Sequence, residues 1–179
     1  MEMDKLLPRL PFSEWIDNGV DWLIEHFGSV LDGIAIVLQT IVEGFVDTLA
    51  VVPSILLAIL FAIAAWLIST RKIGVFTLIG FLFIDYLGFW YDMLQMLSLV
   101  LASVVFAIVI GIPIGILGSQ KATMRKIITP ILDLMQTMPA FVYLIPAIFF
   151  FNIGVASGVV ASVIFAMPPT IHLTILGIV

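Results

Sequence analysis

From Leu134 to Val179 the chain carries no formal charge, and these 46 residues hold prolines at 139, 146, 168 and 169. One crossing of the hydrocarbon core takes about 20 residues. The run is therefore too long for a single crossing, and Asn152, Gly154, Ser157 and Gly158 supply the turn between a fourth span and a fifth. Each proline then falls in or beside a segment that should be a continuous helix. The whole chain fits this setting. Of its 179 residues 63% are hydrophobic and 11% charged, and its mean hydropathy is +1.28. A soluble domain is about 45–50% apolar and 25% charged, so the composition defines an integral membrane protein and an all-α bundle.

Three further spans precede this run. Val51 to Ser69 is uncharged, Ile73 to Ile84 leads into the aromatic belt of Tyr86, Phe89, Trp90 and Tyr91, and Met93 to Gly118 is uncharged throughout. Five spans are expected. Beyond residue 48, Arg71 and Lys72 follow the first span, and Lys121, Arg125 and Lys126 follow the third. Basic residues concentrate on the cytoplasmic side, which makes both clusters cytoplasmic and puts Asp85, Asp92 and the N-terminus outside.

Residues 1–48 form an acidic segment, with Glu2, Asp4, Glu14, Asp17, Asp21, Glu25, Asp32, Glu43 and Asp47 against Lys5 and Arg9. Ile16, Val20, Leu23, Phe27, Val30, Ile34, Val37 and Ile41 recur at steps of four and three. The pattern predicts an amphipathic helix, open to interruption at Gly28 and Gly33. A membrane-surface helix is usually basic on its polar face, so this external tail either packs on protein or lies as a solvated cap. No removable signal peptide is evident. The three units are then 1–48, a pair of accessory spans over 49–92, and the beginning of a core domain over 93–179.

Catalytic patterns are missing. His26 and His172 are too far apart for a local metal motif, no cysteine is present, and neither H-E-x-x-H nor G-x-S-x-G occurs. No metal, cofactor or nucleic-acid site is expected. No nucleotide-binding G-x-x-x-x-G-K-[ST] is found either, so any nucleotide energy must come from another polypeptide. Asp133 is the sole carboxylate after Asp92, which leaves no acid–base pair for an enzyme.

The fourth helix is expected to start with Thr129 as cap, Pro130 at its first position and Asp133 one turn in. Pro139 and Pro146 would then free the carbonyls of Met135 and Val142. Freed carbonyls at membrane depth are tolerated where they are buried in protein or line a cavity, and broken helices often mark solute sites. Gln136, Thr137, Pro139, Tyr143, Pro146 and Asn152 are therefore candidates for a translocation path, against the plainer reading of kinks that shape packing. Gly111, Pro113 and Gly115, with Gly118, read as a close helix contact. Pro168-Pro169 is expected to break the fifth span, with His172 as an interfacial polar residue.

The blocks TLIGFLFIDYLGFW, IGIPIGILGSQ, TPILDLMQTMPAFVYLIPAIFFFNIGV and ASVIFAMPPTI resemble the permease subunit of bacterial ABC importers for glycine betaine, proline betaine and related osmoprotectants. The resemblance extends weakly into PFSEWIDNGVDWL. It implies a type I ABC-importer permease fold in the bacterial inner membrane, a homodimeric pore, two cytoplasmic ATPase subunits and an extracellular solute-binding protein. It departs in two places. The family continues into a cytoplasmic coupling loop of the E-A-A…G type and further spans, so a truncated product is expected, and His172 stands where the family usually carries arginine. The alternative is a non-transporting membrane partner that dimerises with a permease or anchors a binding protein. A channel is a weaker third reading, since no charged filter is visible.

Overall fold

The computed structural model describes residues 12–178, with side chains from residue 18 onward. Glu2, Asp4, Lys5 and Arg9 lie outside the described residues, as do Val179 and the side chains of Glu14, Ile16 and Asp17. The order is α1 (Phe12–Ala50), α2 (Ser54–Ile68), α3 (Arg71–Tyr86), α4 (Trp90–Gln120), α5 (Ala122–Thr137), α6 (Phe141–Phe151) and α7 (Val155–Ile178), with no strand among the described residues. Lipid offers the backbone no partners, so helices that satisfy their own N–H and C=O groups are the available solution. The outer surface agrees with that solvent: Phe76, Leu67 and Ile68 are 77%, 79% and 87% exposed. In water such apolar surface would drive association.

The centre of the bundle is the seam between α4 and α7. The buried face of α4 consists largely of small residues, Ser98, Ala102, Ser103, Ala107, Gly111, Gly115 and Gly118. Lipid tails are as apolar as leucine, so helices associate there through close packing, which small residues permit. A Cβ added at Gly111 would lie 3.0 Å from Thr170 Cγ2, and one at Gly115 only 2.5 Å from Thr174 Cβ. The two threonines can present methyl groups to the glycines because their hydroxyls donate back to Ala166 and Thr170 carbonyls, at 2.9 and 2.8 Å.

The register of this seam fixes the path of the chain. Leu99 meets Gly158, Gly111 meets Thr170, Gly115 meets Thr174 and Gly118 meets Ile175, so the numbers rise together and the helices run parallel. From Leu99 to Gly118 the seam is about 28 Å long at 1.5 Å per residue, close to one hydrocarbon thickness. The intervening α5 and α6 must return over that distance. They do so along α7: Ile128 and Leu132 cluster with Ile171 and Ile175, while Tyr143 and Ala147 cluster with Ala161. A re-entrant loop would return to its starting side and leave α7 antiparallel to α4. The pair α5–α6, bent by 97°, is therefore one broken span.

Among the described residues three helices, α1, α4 and α7, are long and apolar enough to cross a membrane, and the broken pair makes a fourth span. The expected first two spans form a hairpin of shorter helices, α2 with 15 residues and α3 with 16. Ser54 donates to Asp85 at 2.9 Å, and Phe61 stacks on Phe81 at 5.1 Å, which joins the hairpin along its length.

The acidic segment differs most from expectation. It is one uninterrupted helix through Gly28 and Gly33, and from Asn18 to Ala50 it meets the length and hydropathy of a span. The apolar stripe foreseen along it is largely outward: Phe27, Val30, Ile34 and Val37 are exposed. The packing face is instead Leu38, Val42 and Val46, four residues apart, against Leu57, Leu94, Ala102 and Val159. These contacts place α1 across the half of the bundle where α4 and α7 begin.

Candidate functional site

The break in the α5–α6 span is built from three local events. The residue before a proline is pushed out of the helical region, and Met138 accordingly sits at φ −83, ψ 138 as the C-cap of α5. Thr137 Oγ1 turns back to donate to Leu134 O at 2.7 Å. Pro139 has no N–H to give Met135 O, and the Tyr143 hydroxyl takes that place, donating at 2.6 Å. The chain re-enters a helix at once, with Val142 N–H on Pro139 O at 2.9 Å and Tyr143 N–H on Ala140 O at 3.1 Å.

Tyr143 is the linchpin. The residue is 9% exposed and clusters with Ala147 and Ala161, against which Met135, Met138, Leu144, Val160 and Ile164 pack, so its hydroxyl serves a carbonyl in a partly buried setting. An unsatisfied carbonyl in such surroundings costs about 1–3 kcal/mol.

The six path candidates do not converge on one cavity. Gln136, Thr137 and Pro139 are exposed at the break, Tyr143 is buried behind it, and Pro146 is exposed on α6. Asn152 ends α6 about 16 Å from the break by helical rise. It takes φ 60, ψ 178, a region almost confined to glycine, and serves as the turn that allows α7 to start. Ser157 completes this turn, accepting from Gly154 N–H at 3.2 Å.

Several expectations are corrected. Pro146 lies inside an intact α6, and Pro168 and Pro169 lie inside an intact α7, so neither site interrupts its span. Thr129 is no cap and Pro130 opens no helix, because α5 begins at Ala122 and runs through both. Asp133 is consequently in mid-helix, where its Oδ1 lies 4.0 Å from His172 Nδ1 on α7. Pro113 likewise sits within a continuous α4.

A groove of about 550 Å³ does open beside the break, among Met96, Ser103, Phe141, Leu144, Ser162 and Phe165. Its size falls in the range of small-molecule sites. The lining includes no charged residue, and Ser103 spends its hydroxyl on Leu99 O at 2.8 Å. The sequence signal for it was the spacing of Gly158, Ser162 and Ala166, four residues apart on α7, which opens one face of that helix.

The cationic groups bracket the spans. Arg71 and Lys72 are exposed at the start of α3, while Lys121 caps α4 and Arg125 donates to Ser119 O at 3.3 Å across the α4–α5 turn. Lys126 is exposed on the same turn of α5.

These features define a multi-pass α-helical membrane protein whose seam of small residues stands beside a proline-broken span. No protein-family model matches the chain. It is 66% identical over 176 residues to the glycine betaine transport system permease protein OpuAB of Bacillus subtilis (strain 168), covering 98% of this chain and 62% of that protein. It is 44% identical over 169 residues to the glycine betaine/proline betaine transport system permease protein ProW of Escherichia coli (strain K12), covering 94% and 48%. Against the glycine betaine/carnitine transport permease protein GbuB of Listeria monocytogenes serotype 1/2a (strain 10403S), identity is 46% over 176 residues, covering 96% and 62%. Over nearly its whole length the chain is homologous to glycine betaine permease proteins, and it spans about half to three fifths of them.

Proposed function

We propose that the chain forms part of the transmembrane pore of an ATP-driven importer that takes up glycine betaine or a similar compatible solute across a bacterial cell membrane. The observation that carries this reading is the 66% identity over 98% of the chain to a glycine betaine permease. The groove beside the break supports it. A quaternary ammonium solute needs no carboxylate in its path, and the groove's lining includes the aromatic rings of Phe141 and Phe165, a residue type whose faces attract such a cation.

In this reading residues 93–179 belong to the pore domain, 49–92 form an accessory hairpin, and the acidic helix packs beside both through Leu38, Val42 and Val46. Gln136, Thr137 and Pro139 border the solute's route, while Tyr143 acts behind it by holding the bend. The pore is a homodimer, ATP hydrolysis resides on separate cytoplasmic subunits, and an external binding protein delivers the solute. The break then has a role: a hinge with its loose carbonyls already satisfied can change angle without exposing them to lipid.

The test is uptake of labelled glycine betaine into vesicles carrying the full permease with its ATPase and binding protein. ATP-dependent uptake that falls severalfold on Pro139→Ala at equal protein level is the expected result. Absence of uptake by the intact assembly rejects the reading.

A further inference from the structure

Away from the broken span, the α2–α3 hairpin holds a groove of about 450 Å³, walled by Ile59, Ile63, Trp66, Val75 and Leu78, with Arg71 at its mouth. Gly74 shapes it: a Cβ there would lie 2.8 Å from Trp66 Cβ and 2.9 Å from Ala62 O, so its absence lets α2 and α3 close behind the groove. The Arg71 guanidinium lies over the Trp66 ring, 5.4 Å from its centre, which fixes the cation beside the apolar wall. Lys72, next to Arg71 but outside the groove's lining, adds a second charge nearby, and both residues occupy the first turn of α3, where the Thr70 hydroxyl accepts from Ile73 N–H. The sequence places no acid between Asp47 and Asp85.

We propose that this groove is a binding site for an anionic phospholipid, with its phosphate against Arg71 and Lys72 and an acyl chain along Ile59, Ile63 and Val75. The two halves of the site select the ligand together. A soluble anion would use the charges and leave the wall bare, while an uncharged lipid would use the wall and leave two cations unmatched. From Arg71 to Leu78 the groove descends about 10 Å, the depth of the first part of an acyl chain. The basic end lies on the cytoplasmic side by the charge rule, where basic pockets between helices hold anionic headgroups. The site is separate from the solute route and does not depend on which solute is carried.

Trp66 provides the readout. The protein is reconstituted in vesicles of phosphatidylcholine with a fixed fraction of phosphatidylglycerol, with bromine on the chains of one lipid or the other. The difference between the wild type and Trp66→Phe isolates quenching at the groove. Per brominated molecule, phosphatidylglycerol is expected to quench Trp66 about fivefold more effectively for each basic residue engaged. The preference should vanish in Arg71→Gln/Lys72→Gln and largely persist in Arg71→Lys, which keeps the charge. Equal quenching by both lipids would mean ordinary boundary lipid and overturn the proposal. So would a Trp66 that neither lipid quenches, since another protein segment or a second copy would then cover the groove, or a preference that survives the double substitution.

Discussion

The α4–α7 seam and the α5–α6 span both contain prolines in apolar helices, yet α4 and α7 each continue unbroken through theirs while α5 and α6 are separated by a 97° bend. Pro113, Pro168 and Pro169 each remove a backbone donor as Pro139 does. What differs is the company each proline keeps. Along the seam, α4 lies on α7 over about 28 Å from Leu99 to Gly118, closest at Gly111, Gly115 and Gly118, and a bend in either helix would open that contact. At Pro139 no such seam resists, and the bend supplies its own replacements: Thr137 takes Leu134 O and Tyr143 takes Met135 O. A proline thus permits a break, and the neighbours decide whether it happens.

The seam is the place to break this comparison most severely. Gly115→Ala puts a methyl 2.5 Å from Thr174 Cβ and 3.1 Å from the Ile171 carbonyl, and backbone cannot yield as a flexible side-chain end can. Overpacking of this kind costs about 1–3 kcal/mol, and the upper end is expected here. Gly118→Ala meets the terminal Cδ1 of Ile175 at 3.0 Å, which can rotate aside, so its cost should be under about 1 kcal/mol. Thermal unfolding of the two variants in one detergent checks the order. Equal costs would mean the helices slide freely and that the seam does not hold α4 together at Pro113.

The break is the place to sharpen it. Tyr143→Phe keeps the ring and removes only the donor to Met135 O, with an expected loss of about 1–3 kcal/mol. In the Pro139→Ala background an amide N–H is restored at position 139, so the carbonyl regains a partner and the same substitution should cost less. Near-additive costs in this double-mutant cycle would show that the hydroxyl supports packing and not the vacated carbonyl.

Much of this was legible in the residues. The uncharged runs and the two basic clusters gave the all-α membrane class, because lipid penalises both charge and unpaired backbone in ways that composition records directly. The glycines of α4 gave a close contact through their spacing alone. The proline readings fared unevenly. Pro139 breaks its span as its ring chemistry permits, whereas Pro146 and Pro168-Pro169 do not, since a proline's neighbours in space are not written beside it in sequence. The same limit hid the partner of Met135 O, eight residues away at Tyr143. Along α1, two apolar stripes competed: the one through Phe27, Ile34 and Val37 is longer, but the one through Leu38, Val42 and Val46 meets the bundle. Periodicity ranks stripes by regularity, and packing chooses by what lies opposite.

The α2–α3 hairpin offers a smaller test of the same contrast, since it too must hold two apolar helices together but adds a polar clasp to its one glycine contact, at Gly74. Ser54→Ala removes the donor to Asp85 and leaves a partly buried carboxylate short of one bond, at about 1 kcal/mol. A change below detection would place the hairpin's cohesion in the Phe61–Phe81 stack and the Gly74 contact alone.

The weakest link in the broken span joins its inner half to α7. Asp133 and His172 stand 4.0 Å apart, with side chains 60% and 32% exposed, so solvent screens what attraction the protonated histidine provides. Asp133→Asn should change stability by no more than a few tenths of a kcal/mol, within the usual range for exposed pairs. The informative comparison is with Leu132→Ala, one residue earlier and 4% exposed, which packs against Ile171 and Ile175 at the same level of the bundle. Truncating a buried leucine costs about 2–5 kcal/mol. If apolar packing alone ties α5 to α7, the two costs differ by that margin in unfolding measurements. If Asp133→Asn approaches the leucine's cost, the ion pair is holding the inner half of the span in place, and the hinge at Pro139 moves against an electrostatic restraint as well as a packed one.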